Sequence, residues 1–155
     1  MNQVRLQELL HYCPLTGVFT RRSTGKITGC VNRYGYLDTQ LDNQRYPLHR
    51  IAWLYVFGVW PSDCIDHKNR VRTDNRIENL REATRAQNRQ NLALDARNKS
   101  GVRGVSFDAA NKKWRASISV NGRAKNLGRY KLKEDAAKAY KKAASVYHTH
   151  NMEAV

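Results

Sequence analysis

Ile65-Asp66-His67-Lys68-Asn69 opens the stretch that decides the fold. It runs through Asp74-Asn75-Arg76 and Asn79-Leu80-Arg81-Glu82-Ala83 to Thr84-Arg85-Ala86-Gln87-Asn88. Ile65-Asp66-His67 reads as a brief strand, residues 68–78 as a polar loop rich in Asn, Asp and Arg, and residues 79–83 as a second strand. Thr84 with Gln87 three positions on makes a capping box, which predicts a helix N-terminus. That helix carries Asn88 and Asn91 one turn apart. The order is strand, loop, strand, helix. Successive strand residues point to opposite faces, so Asp66 and His67 share a direction only if the strand twists locally.

Upstream, Leu48–Phe57 is apolar nearly all round and predicts a core helix ended by Gly58 and Pro61. Thr16-Gly17-Val18-Phe19-Thr20 and Gly35-Tyr36-Leu37-Asp38-Thr39 predict short strands between turns. His49, at the start of the apolar helix, is expected to be a hydrogen-bonded structural histidine. Downstream, residues 102–107 predict a strand and residues 108–113 a turn. Residues 114–120 then alternate, with Trp114, Ala116, Ile118 and Val120 on one face and Arg115, Ser117 and Ser119 on the other. Asn121-Gly122 signals a tight hairpin into a third strand, Arg123–Tyr130. Glu134 and Asp135 suit a helix N-terminus, and Ala136, Tyr140, Ala143, Ala144 and Tyr147 form one apolar stripe. The fold class is α+β: a first domain over residues 1–95, a linker at 96–100, and a three-stranded antiparallel sheet packed on one helix over residues 101–155.

Charge separates the same two parts. The 155-residue chain holds 28 Lys and Arg against 13 Asp and Glu, a net +15. Residues 1–95 contribute 14 basic and 9 acidic side chains, and residues 96–155 contribute 14 and 4. Residues 109–133 hold eight Lys or Arg and no acid. Solvated surfaces normally mix the two signs, so this stretch points to a polyanion. An outward face of Arg and small polar residues on a narrow sheet has the shape that enters a major groove. Arg103, Lys113, Arg115, Ser117, Ser119, Arg123 and Lys125 are the candidate DNA contacts there. Arg85 and Arg89, like charges four apart on the preceding helix, join them.

The longest apolar run, residues 51–57, is far short of a membrane span. Neither a membrane span nor a signal segment is predicted. Cys13, Cys30 and Cys64 have no paired spacing and are expected to be reduced thiols of a cytoplasmic protein.

His67 suits the deprotonation of water, because imidazole titrates near neutrality. A carboxylate and an amide oxygen are hard donors suited to Mg²⁺. Taken singly, Asp66-His67 is an ordinary surface pair, Asn79 a loop-capping amide and Asn88 a solvated helix residue; only their joint spacing carries the signal. The blocks quoted above, with Leu48-His49-Arg50-Ile51-Ala52-Trp53 and Gly58-Val59-Trp60-Pro61, resemble the ββα-metal motif of HNH endonucleases, in the form carried by phage homing enzymes. The resemblance covers about residues 5–95. It implies His67 as general base, Asp66 and Asn88 as ligands of one Mg²⁺ or Mn²⁺ ion, and Asn79 as the asparagine that pins the loop and orients the histidine. Gly101-Val102-Arg103-Gly104-Val105, Trp114-Arg115-Ala116, Leu127-Gly128-Arg129-Tyr130 and Glu134-Asp135-Ala136-Ala137 resemble an AP2 DNA-binding domain over about residues 98–150. Val105, Ser117, Ser119 and Asn126 depart from the plant members, so no base specificity carries over. Together these resemblances imply a nicking endonuclease on double-stranded DNA, monomeric or weakly dimeric, without a membrane or protein partner. It would act in the host cytoplasm if phage-encoded. A non-catalytic, sequence-specific DNA-binding protein is the alternative, and a structural RNA binder a third.

Overall fold

The computed structural model describes residues 1–150. The chain divides into two compact units, Met1–Arg85 and Ala86–Val155.

The first unit opens with α1 (Gln3–Leu9), whose first turn is capped by the Asn2 side chain accepting from Arg5 N at 2.8 Å. β1 (Leu10–Cys13) and β2 (Val18–Arg21) form an antiparallel hairpin, extended by β3 (Ile27–Thr28). A second small sheet joins β4 (Cys30–Val31), β5 (Leu37–Leu41) and β6 (Gln44–Pro47). α2 occupies Leu48–Phe57, the span that the apolar run predicts. Gly58 ends it in the left-handed region at φ 76°, where a residue without Cβ carries no penalty. Leu6, Leu10, Phe19, Leu48, Ile51 and Leu54 are essentially inaccessible and form the centre of the core. β7 (Cys64–His67) and β8 (Leu80–Ala83) pair antiparallel, with a single 3-10 turn at Ile77–Asn79 ahead of β8. Ile65 and Leu80 tie this ribbon to the core. α3 (Arg85–Gln90) follows, and the division between the units falls inside it.

In the second unit, β9 (Val105–Asp108), β10 (Lys113–Val120) and β11 (Arg123–Tyr130) form an antiparallel sheet with β10 central. β9 begins later than the expected 102, because Gly101 and Gly104 take positive φ and make a turn of this segment. A Cβ on Gly104 would lie 2.3 Å from the Tyr140 ring and 2.4 Å from Ser117 O, so only glycine fits. Asn121 and Gly122, at φ 50° and 78°, make the tight turn between β10 and β11. α4 (Lys133–Tyr147) lies on the sheet through Ala136, Tyr140, Ala143 and Ala144, against Val105, Ala116 and Ile118. Tyr147, placed on that stripe by its spacing, is instead exposed.

Candidate active site and nucleic-acid interface

Antiparallel pairing sets Asp66 opposite Arg81 and His67 opposite Leu80. Cross-strand partners share a face, so the carboxylate meets the guanidinium. Arg81 Nε and Nη2 both donate to Asp66 Oδ2, at 2.9 and 2.7 Å. Asp66 is 5% exposed, and such a pair is shielded from the solvent screening that weakens surface ion pairs. His67, one residue on, is 4% exposed. Its ring centroid lies 5.3 Å from that of His49 and 5.7 Å from that of Tyr36. Its Nε2 is 3.2 Å from Asn75 Oδ1. Burial pushes the His67 pKa down, opposed by the Asn75 contact and by Asp66 and Asp74. At neutral pH the imidazole is therefore uncharged and able to accept a proton.

The loop between the strands is tied down by amides. Asn79 Nδ2 donates to Asp74 O at 2.8 Å, its Oδ1 accepts from Asn69 N at 3.0 Å, and its backbone oxygen accepts from Lys68 N at 2.8 Å. Asp74 in turn accepts from Asn69 Nδ2 and from Arg76, whose hydrogen bonds hold the carboxyl pKa down at about 2. Asn79 thus reaches the loop backbone, while the amide touching the imidazole is that of Asn75. Sequence reasoning quoted Asn75 within its motif and gave it no role. Its contact depends on how the loop folds back over β7, for which spacing holds no signal.

His49 departs from expectation. Its Nδ1 is buried without a hydrogen-bond partner, and its ring instead meets Tyr36 at 4.9 Å as well as His67. Burial first, then the neighbouring His67 and Arg50, lower its pKa to about 3. Among the described residues no group of three His, Cys, Asp or Glu could hold a metal ion, and Cys13, Cys30 and Cys64 are free thiols. Asn88 lies on α3 in the second unit, half-buried, its carbonyl accepting from Asn91 N at 3.1 Å. Arg85 and Arg89 are exposed on the same helix.

Residues 46–90 match the family model described as HNH endonuclease. This segment is an HNH endonuclease domain. The chain is therefore a nuclease, a hydrolase of phosphodiester bonds. The HNH segment takes in β7, its loop, β8 and α3, together with α2, which carries His49. A solved structure described as "DNA binding and cleavage by the HNH homing endonuclease I-HmuI" is similar over 93% of this chain and 88% of that one, at 19% identity and a TM-score of 0.45. No curated protein matches the chain. No helix among the described residues is long and apolar enough to cross a membrane.

Beyond the HNH segment, the sheet of the second unit presents the expected basic face with altered membership. Lys113, Arg115 and Ser119 are exposed and Ser117 half-buried, on the side away from α4. The register shifts between Ala116 and Ser117, so Ala116 pairs with Gly128 and Ser117 with Asn126, leaving Leu127 as the extra residue of a bulge. Ser117 therefore shares its face with Asn126, and Arg115 shares it with Arg129. Lys125 falls opposite Ile118 and Arg123 opposite Val120, on the helix side. Lys125 Nζ accordingly donates to Tyr147 OH at 2.6 Å and stands over that ring. Arg103 also leaves the expected face, since its guanidinium donates to the carbonyls of Arg89 and Leu92. Arg129, absent from the expected set, is an outward cation whose Nε donates to Asp108 at 2.9 Å. Alternation alone misassigns these residues because a bulge inverts the face of everything beyond it.

Proposed function

We propose that the chain is a divalent-metal-dependent endonuclease that nicks duplex DNA, of the homing type its motif blocks resemble. The sheet of its second unit serves as an AP2-like DNA-binding module. The observation that carries this reading is the buried, uncharged His67 next to the Arg81-held carboxylate of Asp66, both inside the HNH segment.

His67 accepts the proton of the attacking water. An imidazole kept neutral by burial is ready for that task at physiological pH. Donor chemistry fits a hard divalent ion such as Mg²⁺ or Mn²⁺, held by the carboxylate of Asp66 and the amide oxygen of Asn88. Because Arg81 takes Oδ2 twice, Asp66 would hold the cation through Oδ1. Such an ion stabilises charge on the pentacovalent phosphorus and on the leaving oxygen. Arg81 keeps the Asp66 carboxylate ionised and oriented, and Asn79 holds the loop that closes over His67. One HNH segment in one chain supplies one cut per binding event, hence a nick.

Arg115, Lys113 and Arg129, with Ser117, Ser119 and Asn126 between them, offer cations and short polar groups for phosphates and base edges. Arg85 and Arg89 add phosphate contacts from α3. Purified protein with Mg²⁺ should convert supercoiled plasmid to open circles, and EDTA should stop the conversion while leaving duplex binding in a gel shift. Equal conversion with and without EDTA would refute the metal requirement. Preference for RNA over duplex DNA in competition at fixed salt would refute the substrate.

A further inference from the structure

Asn75 is 1% exposed, the lowest value among the buried polar residues described. Its Nδ2 has no hydrogen-bond partner, so the side chain is held there through its oxygen, which faces His67 Nε2 at 3.2 Å. An amide oxygen only accepts, and a neutral imidazole carries one N–H and one lone pair. The nitrogen facing Asn75 is therefore the protonated one, and Nδ1 carries the lone pair.

The backbone of Asn75 is braced from the β1–β2 hairpin, an element the nuclease reading leaves without a task. Tyr12 OH donates to Asn75 O at 2.7 Å, and Ile77 N donates to Pro14 O at 3.1 Å. Gly17, at φ +73°, comes so close that a Cβ there would lie 2.6 Å from Asn75 C and 2.5 Å from Arg76 N. On the opposite flank, Asn79 Nδ2 holds Asp74 O. Residues 74–77 are clamped between hairpin and loop, with the Asn75 amide as the one side chain projecting from the clamp to the imidazole.

We propose that Asn75 is a positioning residue that fixes His67 with its proton on Nε2, so that Nδ1 is the atom that takes the proton from water, and that the β1–β2 hairpin serves as its brace. This deepens the nuclease reading and rests on His67 being the base. A wrong tautomer turns a correctly placed imidazole into a donor where an acceptor is needed.

The test is the tautomer itself, read from long-range ¹H–¹⁵N correlations of the His67 ring in the full ¹⁵N-labelled chain at pH 7, without DNA or metal. Expected is a proton on Nε2 and a bare Nδ1. Asn75→Asp keeps an acceptor in place and loses no hydrogen bond, since Nδ2 makes none. It should retain that signature and nick faster than Asn75→Leu. Asn75→Leu removes the acceptor and should show mixed or inverted ring signals, with nicking reduced about ten- to a hundredfold, the range seen when groups that orient first-contact ligands are removed. A wild-type proton on Nδ1 would overturn the proposal. So would Asn75→Leu with unchanged ring signals and undiminished nicking. If Asn75→Leu fails to fold, the wild-type and Asn75→Asp spectra still decide. If wild type fails to nick at all, the nuclease reading falls, while the ring signals still judge the tautomer.

Discussion

Replacing Tyr12 by Phe removes one oxygen from a site where its partner is known. The Tyr12 ring is 2% exposed, stacked on Phe19 at 4.5 Å and edge-on to Tyr55 at 5.5 Å. A phenylalanine keeps all of that, so no cavity opens and the effect isolates the hydroxyl. The lost bond, 2.7 Å to the Asn75 carbonyl, is worth roughly 0.5–1.5 kcal/mol net, and a buried carbonyl left without its donor adds to the loss. We expect about 1–2 kcal/mol less stability for the first unit. For a unit of this size each kcal/mol moves the melting temperature by about 4–8 °C. Urea unfolding followed at the core amides of Ile51 and Leu54 measures this without interference from the second unit. A loss below about 0.5 kcal/mol would show that the hydroxyl holds nothing in place, and the hairpin brace on Asn75 would go with it.

Gly17→Ala should destabilise the same unit by more than about 2 kcal/mol in the same assay, since it combines a positive φ with a Cβ driven into the 75–76 backbone. Acid should weaken the fold well above the carboxylate range. The unfolded chain protonates His49 near pH 6.5, whereas the folded pKa is about 3, so stability is full above 6.5 and is lost progressively as pH falls toward 3. The deficit by pH 5 is about 2 kcal/mol, with His67 adding in the same direction. Identical urea midpoints at pH 7 and pH 5 would contradict a buried neutral pair. For the second unit, Arg115→Ala and Arg129→Ala should each reduce the slope of log affinity against log salt by about one, whereas Arg103→Ala should leave it unchanged.

Local chemistry made much of this legible from the sequence. The apolar run of α2 ends at Gly58 because a glycine in the left-handed region is a local signal, and Asn121-Gly122 marks its hairpin for the same reason. Strand alternation identified Ala116 and Ile118 as core and Arg115 as outward. What escaped depends on long-range geometry. The bulge at Leu127 shifts the face of Lys125, and no periodicity announces a bulge. Arg103 turns onto carbonyls beside α3, and Tyr147 reaches past the end of the core to meet Lys125. In the candidate site, the motif spacing put Asp66, His67 and Asn79 on one ribbon and its loop, whereas the Asn75–His67 contact and the His49–Tyr36–His67 cluster come from segments far apart in the chain.

The central claim is that the imidazole at position 67 performs the proton transfer. Single-turnover nicking of a supercoiled plasmid at saturating protein, with Mg²⁺, should fall at least about a hundredfold in His67→Ala. The gel-shift affinity for duplex DNA should stay within about twofold of wild type, because the phosphate contacts that dominate affinity lie elsewhere. Equal nicking rates for the two proteins, with binding intact, would contradict it.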